Sequence, residues 1–261
     1  MTDAPLLLRN DDQGVATITL NRPQARNSLG QPMLAALLAA FAALAADDSV
    51  RVVILAGAGP AFCAGHDLKE MRAANYTRDY SEKLFADCSA LMQAIVRLPK
   101  PVIARVHGIA TAAGAQLVAS CDLAIAADDS RFATPGVNIG LFCSTPMVAL
   151  SRNLSPKHAL QMLLVGELID AQTALRFGLV NELVPAAELE EKTFELARKL
   201  AAKSARTLAI GKEAFYRQAE MPLGAAYDYC AEVMATNLEA LDAQEGIGAF
   251  IDKRHPVWCD R

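Results

Sequence analysis

The chain has 261 residues, 53% of them hydrophobic and 21% charged, which is typical of a folded protein with a sizeable core. Its 25 basic and 29 acidic residues give a formal net charge of −4, too little positive charge for a nucleic-acid-binding surface. The longest wholly apolar run, residues 33–46, is shorter than the roughly 18 to 20 residues of a membrane span.

The N-terminus and the cysteines exclude further classes. Residues 1–5 do not lead a basic segment into an apolar one, so they predict neither a signal nor a transit peptide, and we expect a cytoplasmic protein. The six cysteines form no C-x-x-C pair and show no histidine spacing typical of zinc, which favours buried thiols. The sequence therefore predicts no disulfide, no metal, no nucleic acid and no membrane partner.

Short β-like runs alternate with helical patterns in the first half of the chain. The run after Val50 is continuously apolar, which suits a strand buried on both faces. Helices are predicted from Pro32, where the missing N–H costs nothing, and from about Tyr80 until the chain reaches Pro99. The predicted strands cover residues 15–20, 50–55, 102–106 and 121–127.

Beyond Asn153 the pattern is mainly helical. Helical segments begin at Ser155, Asp170 and Pro185, and few β-like runs separate them. The sequence contains no internal repeat and no low-complexity tract. The predicted class is α/β, passing into a helical C-terminal region.

Two small-residue loops, each between a strand and a helix, carry the candidate site. In residues 59–71 the pattern places backbone N–H groups near His66 at a helix entry, where they have no internal acceptor. In residues 108–117 small side chains let a ligand approach bare backbone. N–H groups from the two loops could converge on one carbonyl oxygen, which is the outline of an oxyanion hole. Close packing alone also explains small residues at such turns.

The string AFCAGHDLKE, residues 61–70, resembles the signature of the crotonase (enoyl-CoA hydratase/isomerase) superfamily. Residues 65–68, 116–122 and 134–146 are most similar to the enoyl-CoA hydratase domain-containing protein 3 subgroup. Further segments agree in order and spacing across nearly the whole chain, namely residues 21–23, 27–29, 100–104, 120–126, 132–135, 171–174, 177–180 and 245–250.

The resemblance implies a ClpP-like spiral of ββα units over residues 1–200. It implies a helical trimerisation region over residues 201–261, which builds homotrimers or hexamers made of two trimers. The ligand would be an acyl-CoA thioester acting as substrate, with no separate cofactor.

The resemblance also assigns site residues one by one. The backbone N–H groups of His66 and Ala113 would bind the thioester carbonyl as it gains enolate character, an interaction that strengthens in the transition state. The CoA-binding positions would be Ala25, Ala64, His66, Asp67, Leu68 and Lys69, together with Phe250 and Lys253 from the C-terminal helix of a neighbouring subunit.

The sequence departs from the family at the two glutamates that hydratases place on the substrate water. The first position is Gln116 and the second is Gly136. A glutamine amide orients water but transfers no proton near pH 7, and glycine supplies no side chain. We therefore expect any residual hydratase activity to be slow.

Other groups remain as candidates. Ser144 lies where some branches carry a carboxylate, and His66, with an unperturbed pKa of ~6.5, is either a proton carrier or a loop residue chosen for shape. A dihydroxynaphthoyl-CoA synthase-like branch shares the glycine and borrows bicarbonate as its base, an anion that Thr134 and Asn138 could hold. Cys143 is interpreted as pocket lining, because the sequence places no base beside it.

Three hypotheses follow. The first is a crotonase-fold enzyme, nominally a hydratase or isomerase, that stabilises a thioester enolate. The second is an acyl-CoA-binding protein that has lost turnover. The third is a lyase of the decarboxylase type, for which departure of carbon dioxide needs no base. Acyl-chain length is not predicted.

Overall fold

The computed structural model describes residues 4–261 and contains nine strands and eleven α-helices within them. The strands are β1 (Leu7–Asp12), β2 (Val15–Leu20), β3 (Val52–Gly57), β4 (Val102–Val106), β5 (Ile109–Thr111), β6 (Leu123–Ala127), β7 (Arg131–Ala133), β8 (Ile169–Asp170) and β9 (Glu182–Val184).

Most of the helices lie in the second half of the chain. They are α1 (Gln31–Ala46), α2 (Leu68–Ala73), α3 (Arg78–Arg97), α4 (Ala113–Ser120), α5 (Ser144–Asn153), α6 (Pro156–Val165), α7 (Ala171–Phe177), α8 (Leu189–Ala201), α9 (Ala205–Gln218), α10 (Leu223–Leu238) and α11 (Leu241–Ile251).

The strands form two sheets. The larger has the order β1-β2-β3-β4-β6-β9, in which β1 and β2 are antiparallel and the other neighbours are parallel. The smaller has the order β5-β7-β8. Because β5 belongs to the small sheet while β4 belongs to the large one, the chain changes sheet immediately before α4. This change places the second small-residue loop at the junction of the two sheets.

The central strand β3 is apolar throughout, which suits a strand with both faces of the sheet covered. Val52 and Ile54 pack on one face against α8, whereas Val53 and Leu55 face the main core with α1 and α3. Successive side chains of β3 therefore enter the two apolar clusters alternately. This explains why the run 50–55 carries no polar alternation.

The predicted α/β class and its helical C-terminal region are confirmed. Ser155 and Asp170 cap α6 and α7 by accepting hydrogen bonds from backbone N–H groups, as their positions predict. The sequence does not predict the strands β1, β5, β7, β8 and β9. β1 is polar and largely exposed, and the others contain two or three residues, too few for a period to be read. None of the helices within residues 4–261 combines the length and hydropathy that a membrane span requires.

Candidate active site

The Asn27 side chain holds the start of the first small-residue loop by hydrogen bonds. This fully buried side chain places its Nδ2 within 2.9 Å of the Ala58 oxygen, 2.8 Å of the Ala61 oxygen and 3.2 Å of the Phe62 oxygen. Its Oδ1 accepts a hydrogen bond of 2.9 Å from the Arg22 N–H. The one side-chain amide of Asn27 therefore binds three carbonyl groups at the start of the loop. The sequence analysis does not predict this role, although Asn27 stands in a matched segment.

We expect Asn27→Ala to lower the free energy of unfolding by about 2 kcal/mol, because buried carbonyl groups lose their donor. Urea unfolding followed by circular dichroism measures the change. Asn10→Ala, at an exposed position of β1, is the control and should stay within about 0.5 kcal/mol of the parent. Equal stability of the two variants would show that Asn27 does not hold the loop.

The two small-residue loops are joined by backbone hydrogen bonds. The Cys63 N–H donates to the Ile109 oxygen (3.1 Å), and the Cys63 oxygen accepts from the Thr111 N–H (3.0 Å). The Thr111 hydroxyl donates to the Ala64 oxygen over 3.1 Å. Residues 63 and 64 of the first loop therefore lie beside β5 and the start of α4.

Glycines allow this close approach. A Cβ placed on Gly65 would lie 2.8 Å from the Ala112 Cβ and 3.4 Å from the Ala113 nitrogen, and Gly65 has a φ of +92°. A Cβ on Gly114 would overlap the Cys63 carbonyl oxygen. The residue preceding His66 thus lies against the Ala113 amide, as convergence of the two loops requires.

The two predicted N–H donors have no backbone acceptor. Among the hydrogen bonds of residues 4–261, none is donated by the His66 or the Ala113 main-chain nitrogen. Ala113 is the first residue of α4, so its N–H has no partner within the helix. Ala112 holds φ 51° and ψ −117°, a strained conformation for a residue other than glycine. Strain of this kind is common where a site fixes its backbone.

The His66 imidazole is packed into the protein. Its Nδ1 lies 3.3 Å from the Leu29 oxygen, and its ring meets Phe85 edge-on with 5.3 Å between centroids. The Nε2 atom is buried without a hydrogen-bond partner among the described residues. Burial lowers the pKa of His66, so the imidazole is neutral at neutral pH.

We expect acid to destabilise the protein through His66. Because its folded pKa is lowered, the unfolded chain binds the proton more readily, and stability falls as pH drops below about 6.5. His66→Phe should flatten the decrease. Unfolding midpoints in urea between about pH 5 and pH 7.5 measure it. The exposed His255→Gln variant is the control, and a His66→Phe curve that parallels this control would contradict the assignment.

Gln116, in α4, contacts α3 one helical turn from the position that His66 contacts. Its side chain is 3% exposed, and its Oε1 lies 3.9 Å from the Cys88 Sγ. Phe85, which contacts His66, precedes Cys88 by three residues, a spacing that puts both on one helix face. The Gln116 amide and the His66 ring therefore contact neighbouring turns on one face of α3. No sequence signal pointed to Cys88.

Gly136 is buried, and the chain itself fills the space beside it. A Cβ at this position would overlap the Leu141 carbonyl oxygen and lie 2.8 Å from the Cys143 Sγ. Cys143 is buried, and burial raises the pKa of its thiol. Ser144 is exposed at the start of α5, and its hydroxyl donates to the Phe142 oxygen over 3.5 Å.

The two residues considered for an anion differ in environment. Thr134 is fully buried, and its hydroxyl has no partner among the described residues. Asn138 donates from Nδ2 to the Gly166 oxygen over 3.0 Å. Within residues 4–261 no group of three or more His, Cys, Asp or Glu side chains is arranged to hold a metal ion.

The predicted CoA positions from the first half of the chain share one edge of the site. The Ala64 N–H donates to the Arg26 oxygen (3.0 Å), which brings Ala64 close to Ala25. Leu68 is 54% exposed, and Lys69 is exposed beside it.

Asp67 caps α2 through the N–H groups of Lys69 and Glu70 and pairs with Arg22 over 3.2 Å. Burial raises the pKa of the Asp67 carboxyl, but hydrogen bonds from the Glu70 N–H and from Arg22 outweigh it and leave the pKa below its ordinary value. The Asp67 carboxylate thus stabilises the start of α2 and the position of Arg22.

The C-terminal positions lie elsewhere within one chain. Phe250 is in α11, which packs against α9 and α10, and its side chain is 85% exposed. Lys253 follows the end of that helix with a φ of 56°. Neither residue has a described hydrogen bond to the two small-residue loops.

Together, the fold and the paired loops define an α/β protein with an unpartnered pair of main-chain donors at a sheet junction. The family model for enoyl-CoA hydratase/isomerase matches residues 10–261, and the chain belongs to that family. The match confirms the crotonase resemblance and its fold.

Individual relatives agree. A crystal structure of an enoyl-CoA hydratase from Mycobacterium smegmatis is 55% identical, with a TM-score of 0.95, and the alignment covers 98% of this chain and 99% of that one. Human enoyl-CoA hydratase domain-containing protein 3 has a crystal structure that is 47% identical, with a TM-score of 0.94, covering 97% and 100% of the two chains. The mitochondrial protein of that name from Rattus norvegicus is 49% identical over 94% of this chain and 81% of its own. The predicted subgroup is thereby confirmed.

The predicted cytoplasmic location is wrong by the same comparison. The rat, Xenopus laevis and human proteins of this subgroup are all named as mitochondrial. The prediction depended on the composition of residues 1–5 alone, and so few residues do not determine the compartment.

Proposed function

We propose that the protein binds an acyl-CoA thioester and polarises its carbonyl group with the N–H groups of His66 and Ala113. The supporting observation is that two separate loops, joined backbone to backbone at glycines, each present an N–H without a backbone acceptor. Donors fixed in advance stabilise an enolate oxygen more than a ground-state carbonyl, because the charge develops on that oxygen.

The proposed chemistry is not the hydration that a pair of carboxylates catalyses. Gln116 supplies an amide at the first position, and the Leu141 oxygen and Cys143 thiol occupy the space of the second. Neither position offers a group that exchanges a proton near pH 7. We therefore favour an enolate-stabilising reaction that does not depend on a glutamate pair. The filled space at Gly136 equally favours the second candidate, an acyl-CoA-binding protein without turnover.

The state of the bound thioester tests the proposal directly. Infrared difference spectroscopy of crotonyl-CoA labelled with carbon-13 at the thioester carbonyl should show a shift to lower frequency on binding, because hydrogen bonds weaken the C=O bond. A bound thioester whose carbonyl frequency equals that in water would overturn the oxyanion assignment. Assays for hydration of enoyl-CoA and for carbon dioxide release from malonyl-CoA thioesters then separate the enzymatic candidates from the binding candidate.

We also propose that the chain forms a homotrimer or a hexamer, with residues 201–261 as the assembly region and Phe250 and Lys253 reaching the CoA of a neighbouring subunit. The support is a set of apolar side chains on α10 and α11 that are more than half exposed in the single chain, as expected of surfaces that pack against another subunit. Sedimentation at micromolar concentration tests the proposal, and a monomer would contradict it. The exposed residues are Leu223, Tyr227, Met234, Leu238, Leu241, Phe250 and Ile251.

A further inference from the structure

The direction of the His66 main-chain N–H is set by the segment that precedes α1. Leu29 and His66 form an isolated parallel bridge. The Leu29 N–H donates to the Gly65 oxygen over 2.8 Å, and the Leu29 oxygen accepts from the Asp67 N–H over 3.2 Å. In a parallel bridge the hydrogen bonds go to the two neighbours of the paired residue, so the N–H and C=O of His66 point away from Leu29. The bridge therefore fixes the direction of this candidate donor.

The Glu70 side chain continues this pairing beyond the bridge. The Gln31 N–H, two residues after Leu29, donates to the Glu70 Oε1 over 2.9 Å. Gln31 is the first residue of α1, so its N–H has no acceptor within the helix and takes one from α2. The segments 29–31 and 65–70 are thus joined by the bridge, by the His66 Nδ1 contact with the Leu29 oxygen and by Glu70. Glu70 supplies no N–H to the candidate site, so its substitution tests the pairing separately.

Glu70 also binds the start of α3. The Tyr80 hydroxyl donates to the same Oε1 atom over 2.9 Å. Burial and the neighbouring Glu70 carboxylate raise the pKa of Tyr80 to about 12, so the hydroxyl keeps its proton at neutral pH and remains a donor. The same helix carries Phe85, whose ring meets the His66 imidazole. One carboxylate oxygen of α2 therefore joins the starts of α1 and α3 beside the His66 loop.

Gly30 makes room for the Glu70 carboxylate. A Cβ on Gly30 would overlap the Glu70 Oε2 atom. Gly30 has φ −91° and ψ 173°, an extended conformation that other residues also adopt, so the backbone itself does not require glycine here. The close approach of the carboxylate requires it instead. The Glu70 side chain thus lies directly against the main chain that precedes α1.

From these contacts we propose that Glu70 is a positioning residue for the candidate oxyanion hole. Its carboxylate holds α2 against the starts of α1 and α3, and this keeps the His66 N–H in the direction that the Leu29 bridge gives it. Glu70 touches no reacting atom and acts through the main chain of residues 66–70. Its contribution is to fix a donor before the ligand binds, because donors that need no reorganisation stabilise the developing charge best. The inference rests on the proposed function, since it requires a thioester carbonyl at the His66 and Ala113 amides.

The infrared frequency of a bound thioester carbonyl tests this role. Crotonyl-CoA labelled with carbon-13 at that carbonyl is added to saturation. Glu70→Ala should lose about half or more of the parent's shift to lower frequency, because His66 is one of two donors. Glu70→Gln should keep most of the shift, since its amide oxygen accepts the same two hydrogen bonds. A loss of stability alone leaves the frequency of a carbonyl bound to folded protein unchanged, so this measurement separates positioning from folding.

Two further variants act on the same contacts without removing the carboxylate. Gly30→Ala should displace the carboxylate and lose the carbonyl shift as Glu70→Ala does. Tyr80→Phe removes one of the two donors and should fall between Glu70→Ala and the parent. Both variants keep the proposal testable if Glu70→Ala does not fold. The control is Glu82→Ala, which removes from α3 a carboxylate that is 61% exposed and pairs with Arg78, and it should match the parent.

The outcomes separate this inference from the proposed function. If the parent shows the carbonyl shift and Glu70→Ala or Gly30→Ala keeps it in full, Glu70 does not position the His66 amide and the inference is overturned. The inference is also overturned if Glu70→Gln loses the shift as completely as Glu70→Ala, because the two hydrogen bonds would then not be the cause. If the parent itself shows no shift, the proposed function fails. Loss of the shift in Glu70→Ala and Gly30→Ala, with retention in Glu70→Gln and Glu82→Ala, supports both.

Discussion

Gly114→Ala is expected to lower the free energy of unfolding by about 3 kcal/mol, although alanine is usually the better residue in a helix. The added methyl group would overlap the Cys63 carbonyl oxygen, which is backbone and cannot rotate away. The protein must therefore separate the first loop from α4. Because the His66 and Ala113 amides lie on the two sides of that contact, the same change should abolish the frequency shift of a bound thioester carbonyl.

Gly224→Ala is the matched control for this experiment. Gly224 is also the second residue of its helix, α10, and a Cβ there meets no atom within 4 Å. It should keep the carbonyl shift and gain up to about 1 kcal/mol of stability. Thermal unfolding and infrared spectroscopy measure the two properties. A Gly114→Ala protein as stable as Gly224→Ala would mean that the loops are not in backbone contact.

Gly136→Glu is the second substitution with a large expected effect, and it should not create a hydratase. Its Cβ would overlap the Leu141 oxygen and crowd the Cys143 thiol, so residues 140–143 must move before a carboxylate enters the site. We expect a loss of about 3 kcal/mol from overpacking together with burial of an unpaired charge. Denaturant unfolding and crotonyl-CoA hydration measure the result.

The control and the contradicting outcome are specific. Gly140→Asn alters the same loop where a Cβ meets nothing within 4 Å, and asparagine tolerates the φ of +74° there, so its cost should be below about 1 kcal/mol. The double variant Gln116→Glu, Gly136→Glu should hydrate crotonyl-CoA no faster than the parent. A gain on the order of 10² or more would show that only the carboxylates were missing and that the loop had made room for them.

The sequence alone predicts much of the fold. The central strands, the start of α1 near Pro32 and the caps of α6 and α7 follow from local rules, because apolar period, helix caps and proline act within a few residues of their own position. The short strands of the small sheet do not, since each is stabilised by pairing with a distant segment rather than by its own composition.

The same division applies to the candidate site. The family, the two small-residue loops and the replacement of both glutamates by Gln116 and Gly136 are visible in the amino-acid sequence. The three-dimensional structure was needed to show that the Leu141 carbonyl fills the space beside Gly136 and that Cys88 contacts the Gln116 amide. The physical reason is that occupied and empty volumes arise from contacts between segments far apart in the chain, and residue spacing does not encode those contacts.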